Sequence, residues 1–102
     1  MKVKFTKEAR SDIASIYDYL NEHAGTRTAK IILAELRERC LGLARMPERF
    51  EQLQGFQSKG LRRRLYRNYL IIYRFRVGIV EIVRVFHGAS DYLKLLNDET
   101  DP

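Results

Sequence analysis

The chain has 102 residues, 45% of them hydrophobic and 31% charged, which fits one globular domain and excludes a disordered or fibrous chain. Its net charge of +6 and pI near 9.7 favour an anionic partner: nucleic acid, a nucleic-acid enzyme or an acidic peptide. No apolar run approaches the ~20 residues of a membrane span, and the opening MKVKFTKEAR lacks the apolar core of a signal peptide, so a soluble, cytoplasmic protein with no membrane contact is expected.

Residues 2–5 read as a short strand. Thr6 is then a suitable N-cap, with Glu8 in the first turn where the helix dipole favours it. Ala9, Ile13, Ile16, Tyr17 and Leu20 follow helical spacing against Arg10, Asp12, Ser15 and Asp18, which predicts a helix over about residues 6–22 with Gly25 as its breaker. A second helix starts at Thr26 or Thr28 and runs to about Met46, where Pro47 stops it. Its apolar stripe is Ala29, Ile32, Leu33, Leu36, Cys40, Leu43 and Ala44. So short a link predicts an antiparallel helix hairpin lying on one side of a sheet. Cys40 is the single cysteine, so no intramolecular disulfide can form, and its place on the apolar stripe makes it a buried small hydrophobe. Residues 48–58 form a polar connection with apolar anchors at Phe50, Leu53 and Phe56, long enough to hold a helical turn or an irregular strand.

The densest signal lies in residues 59–91. Three strands are predicted, over 61–66, 69–76 and 79–86, joined by turns at Arg67-Asn68 and Val77-Gly78, because Asn and Gly tolerate a positive φ. No acidic residue occurs between Gln52 and Val80, whereas Lys59, Arg62, Arg63, Arg64, Arg67, Arg74 and Arg76 are all basic. On the middle strand Tyr69, Ile71, Tyr73 and Phe75 share one side, the face expected under the helices. Leu70, Ile72, Arg74 and Arg76 share the other, which is apolar at one end and cationic at the other. That face is either open until a partner covers it or covered by the C-terminal segment. Residues 89–96 suit a short terminal helix capped by Ser90 or Asp91, and the acidic tail 97–102 is expected to fray beyond a single domain of residues 1–96.

Chemistry is sparse. The six glycines are scattered at turns, without a phosphate-binding loop. His23, His87 and Cys40 have no metal-ligand spacing, so no metal site and no cofactor are expected. His87, Ser90 and Asp91 crowd one turn too closely for a hydrolase triad. The remaining catalytic idea is metal-free RNA cleavage, with Arg62, Arg63, Arg64 and Arg74 supplying charge and His87 or Tyr92 relaying a proton. Along a strand Arg63 points away from Arg62 and Arg64, so the three cannot face one phosphate. Arg84 either reaches a partner or pairs with a carboxylate such as Glu81 or Asp91.

The order strand–helix–helix–three strands resembles the RelE/ParE superfamily of toxins from type II toxin–antitoxin modules. The residues that carry the likeness are Ala9 with Asp12-Ile13, Ile16-Tyr17-Asp18-Tyr19-Leu20, Pro47, Gly60-Leu61-Arg62, Tyr69-Leu70-Ile71-Ile72-Tyr73-Arg74, and Val85-Phe86-His87-Gly88 with Asp91. The resemblance implies an α+β fold, a two-helix hairpin on one face of a small antiparallel sheet, with residues 2–5 beside the last strand. Within the superfamily the pattern is more similar to the ParE branch. RelE-type ribosome-dependent mRNases carry an arginine where this chain has Leu70 and another where it has Asp91. ParE-type chains often carry an arginine just before that aspartate, where Ser90 stands here. The ParE likeness implies a toxin that inhibits DNA gyrase and forms a hetero-oligomer with a cognate antitoxin, meeting DNA only indirectly through that antitoxin. Arg62, Arg64, Leu70, Ile72, Arg74 and Arg76 are the residues expected to meet the antitoxin's acidic, apolar segment or the target. In the alternative, RelE-like reading, Arg63, Arg64, His87 and Tyr92 carry endonuclease chemistry.

Overall fold

The computed structural model describes residues 1–88. The expected terminal helix over 89–96, with Ser90, Asp91 and Tyr92, and the tail 97–102 lie outside the described residues. Strand β1 (Lys2–Phe5) leads into helix α1 (Lys7–Ala24) and helix α2 (Thr26–Leu41); β2 (Arg62–Tyr66), β3 (Tyr69–Arg76) and β4 (Ile79–His87) follow. The sheet order is β1-β4-β3-β2. β3 is antiparallel to both its neighbours, but β1 joins β4 in parallel, Lys2 opposite Ile79 and Phe5 opposite Ile82. Residues 2–5 thus take their expected place, and their direction makes the sheet mixed where an antiparallel one was expected. A parallel pair needs a long crossover, which the helix hairpin and the β2–β3 hairpin supply.

Thr6 fixes the start of α1 twice: its Oγ1 accepts from Ala9 N at 3.0 Å and donates to the Val83 carbonyl at 2.7 Å. Gly25, at φ +92°, is the whole joint between the helices, a conformation that side-chain-bearing residues rarely adopt. α2 ends at Leu41, well before Met46, and tightens into a 3₁₀ turn at Gly42–Ala44. Gly42 is a poor helix former, so the helix gives way there before reaching Pro47. Pro47 instead opens a second 3₁₀ turn, Pro47–Arg49, and its carbonyl accepts a 2.6 Å hydrogen bond from the buried Tyr73 hydroxyl. In the β2–β3 turn Arg67, at φ 53°, takes the left-handed conformation expected of Asn68.

The main core lies between the helix hairpin and the sheet. Ile16, Leu20, Leu36, Leu43, Ile71 and Tyr73 are buried there as expected, while Ile13 and Leu33 pack only along its margin. A bulge interrupts the β3–β4 register: Ile72 opposes Arg84, and the next residue, Tyr73, opposes Ile82. The extra residue, Val83, joins a second apolar cluster with Leu53, Phe56, Leu61, Leu70, Ile72 and Phe86.

Candidate functional site

The residues expected to form one binding surface are divided by the sheet. Arg62 and Arg64 oppose Tyr73 and Ile71, on the helix side. Arg74 and Arg76 share the other face with Leu70 and Ile72. Arg62 is absorbed by its neighbourhood, donating to the carbonyls of Glu48 (3.2 Å) and Phe50 (2.7 Å). Arg74 pairs with Glu81 at 2.7 Å, and Arg76 is exposed. Leu70 and Ile72 correct the expectation of open hydrocarbon: they are 4% and 0% exposed. Among the described residues their cover is the connection after α2, which sets Leu53, Phe56 and Leu61 against them and closes with a 2.8 Å bond from Leu53 N to the Leu61 carbonyl.

The alternative constellation is only partly assembled. Arg63 and Arg64 emerge on opposite faces of β2, and Arg63 is ion-paired with Glu51 at 3.1 Å. Arg63 and exposed His87 do line one depression of 360 Å³, together with Arg67 and Asn68, but Arg64 does not. His87 stands against the rings of Tyr69 and Tyr19, with centroids 5.0 and 5.6 Å away. Arg67 is held by the Tyr66 hydroxyl (2.9 Å) and by Glu35 (3.4 Å). The Tyr66 hydroxyl also donates to Glu35 and, with Arg67, holds that carboxyl below its usual range. Arg84 does pair with a carboxylate, though with Asp12 of α1, at 2.7 and 2.8 Å, while Glu81 is taken by Arg74.

Two further concave surfaces lie on the helix side of the sheet, away from Arg74 and Arg76. The first is a 650 Å³ cleft where the end of α2 meets β2, lined by Arg39, Arg45, Arg49 and Arg64 with Leu41, Met46, Phe50 and a single acid, Glu38. Arg64 donates to the Arg39 carbonyl (2.9 Å) at the helix terminus, where a cation suits the dipole, and its guanidinium lies 4.6 Å from the Phe50 ring centre. Burial, then Arg39 and Arg49, push the Arg64 pKa down. Of the cleft's cations, Arg64 alone stands out from the sequence pattern. The others come from the helix end and the irregular turns after it, and their convergence has no signature in spacing. The second surface is a 410 Å³ apolar groove lined by Phe5, Ile13, Leu33, Ala34 and Leu36, with Arg10 and Arg37 beside it.

Cys40 is buried, and burial pushes its thiol up to about 12. Among the described residues no group of His, Cys, Asp and Glu is arranged to hold a metal ion, and no helix is long and apolar enough to cross a membrane.

The fold is shared with proteins of known structure. It is similar to a chain of the chromosomal ParDE toxin–antitoxin system from P. aeruginosa, with a TM-score of 0.75, 21% identity and coverage of 87% of this chain and 97% of that one. It is also similar to a chain of the toxin–antitoxin complex RelBE2 from Mycobacterium tuberculosis, with a TM-score of 0.64, 27% identity and coverage of 84% and 95%. No curated protein matches the chain by sequence. The family model for the ParE toxin of type II toxin–antitoxin systems, parDE, matches residues 3–92, nearly the whole chain. With that match over a helix hairpin seated on a four-stranded mixed sheet, the chain belongs to the ParE toxin family of type II toxin–antitoxin systems.

Proposed function

We propose that this protein inhibits DNA gyrase and is neutralised by a cognate antitoxin with which it forms a hetero-oligomer. The observation that carries the reading is the ParE family match over residues 3–92. Side-chain placement supports it against the RelE-like alternative. Metal-free cleavage of RNA needs cations converging on one scissile phosphate, each commonly worth a few kcal/mol of barrier. Here Arg63 is neutralised by Glu51, Arg64 sits on the opposite face, and Leu70 is buried hydrocarbon. Among the described residues, Arg63 and His87 beside one depression are what remains in favour of cleavage.

The antitoxin segment is acidic and apolar, as expected from the chain's charge, but its seat differs from the strand face that the charge pattern suggests. With Leu70 and Ile72 covered, an apolar surface open to it among the described residues is the groove of Phe5, Ile13 and Leu33, and the cations beside it are Arg10 and Arg37. A disordered segment that folds on binding suits such a groove.

Freed of antitoxin, the protein is expected to inhibit supercoiling by purified gyrase and to leave mRNA uncut in a purified translation system. Added antitoxin should restore supercoiling. Cleavage of ribosome-bound mRNA that disappears in Arg63→Ala or His87→Ala would overturn the proposal in favour of a RelE-like endonuclease.

A further inference from the structure

We propose that the cleft at the end of α2 binds the phosphodiester backbone of single-stranded nucleic acid through Arg39, Arg45, Arg49 and Arg64. The site goes beyond the gyrase reading and does not depend on it. Its first ground is uncompensated charge. Arg63, Arg67, Arg74 and Arg84 each have a carboxylate partner, whereas among the described residues none of the cleft's four arginines does, and only Glu38 lines the cleft with them. Four guanidiniums around 650 Å³ concentrate a positive field in a concave, partly apolar cleft.

The second ground is preorganisation. Arg49 and Arg64 lie over the Phe50 ring at 5.4 and 4.6 Å, and Arg39 lies over the Tyr66 ring at 5.0 Å. Side chains already held on aromatic faces lose less freedom when a ligand arrives. Every cation of the cleft is arginine, whose planar fork matches phosphate oxygens in pairs. The third ground is what stands beside the charge: Leu41 and Met46 are 43% and 57% exposed in the same cleft. An unpaired nucleotide offers a phosphate and an exposed base face together, which matches guanidiniums next to hydrocarbon. A duplex hides its base faces; in a peptide the carboxylate and the apolar side chain belong to different residues, whereas each nucleotide carries both groups, and the acidic, apolar antitoxin segment has its proposed seat in the groove of Phe5, Ile13 and Leu33.

The test is fluorescence anisotropy with a labelled oligothymidylate and the full chain, across a salt series. Binding is expected, weakening as salt rises. Arg45→Glu with Arg49→Glu should weaken it more than about tenfold and reduce the salt slope by about 0.7 for each phosphate no longer neutralised. Lys4→Glu with Arg76→Glu makes the same change in net charge at exposed positions away from the cleft, and should weaken binding far less. Arg45→Gln with Arg49→Gln, set against Lys4→Gln with Arg76→Gln and checked by circular dichroism, gives the same charge-matched comparison if the reversed charges disturb folding. Absence of binding, or equal weakening in the cleft and control variants, would overturn the site. A duplex bound as tightly as the strand, or polyglutamate displacing it at equal charge, would overturn the ligand class.

Discussion

Asp12 accepts hydrogen bonds from two Arg84 nitrogens and, at 2.9 Å, from the Val85 backbone N–H. β1 ends opposite Ile82, so beyond that point side chains of the first helix and its cap take over the edge of β4: Thr6 at the Val83 carbonyl and Asp12 at the Val85 N–H. Both partners of the Asp12–Arg84 pair are largely buried. Replacing Asp12 by Ala leaves a buried cation and a ladder N–H without this acceptor, and should cost about 3–5 kcal/mol by urea denaturation. The thiol of Cys40 gives a second prediction. Its usual pKa is near 9.0 and its folded value about 12, so the unfolded chain ionises first and stability should fall as pH rises between those values. Cys40→Ala should reduce that slope without removing it, because burial also raises Tyr66, Tyr69 and Tyr73, and an aromatic disulfide reagent should label native Cys40 only as fast as the protein opens. Cys40 was legible in sequence because helical spacing alone puts it inside. The role of Asp12 was not, because its partner lies 72 residues away along the chain.

Strand faces were legible wherever a period of two holds, which is why Ile71 and Tyr73 were assigned to the helix side. Truncating Leu36 or Ile71 to Ala there should cost about 2–5 kcal/mol in chemical denaturation. The far face was misread because its cover comes from a segment with no period at all. Leu53, Phe56 and Leu61 lie in irregular chain beside a 3₁₀ turn and a single bridge between Gln52 and Arg62, so their common direction depends on the tertiary path. Phe56→Ala should therefore cost about 3–5 kcal/mol and, unlike Leu36→Ala, should uncover Leu70 and Ile72 to a dye that binds apolar surface. The bulge at Val83 was equally hidden, since one additional residue changes register without changing composition.

Net charge was readable from composition, but its distribution was not. Strand arginines that dominate the sequence are largely spent on Glu51, Glu81 and backbone carbonyls, while the concentrated field forms where α2, the turns after it and β2 meet. With the antitoxin seated as proposed in the groove of Phe5, Ile13 and Leu33, its affinity should fall with salt without vanishing, because the apolar share of the contact is not screened. Arg10→Glu with Arg37→Glu should weaken the complex and flatten its salt dependence in calorimetric titrations. Arg74→Glu should do much less, and an equal effect would return the antitoxin to the opposite face.

The parallel register of Lys2–Phe5 with residues 79–82 also bears on the protein's synthesis. A growing chain that has made β1, both helices, β2 and β3 has no neighbour for its first strand, because β4 stands between β1 and the rest of the sheet. Nor can Thr6 and Asp12 reach their acceptor and donors on β4. Contacts between distant parts of a chain are the slow ones to form, and here they join the earliest strand to the last described one. A ribosome partway through β4 therefore carries a chain whose sheet is still open at its centre, and a message broken upstream of that strand yields no chain able to close it.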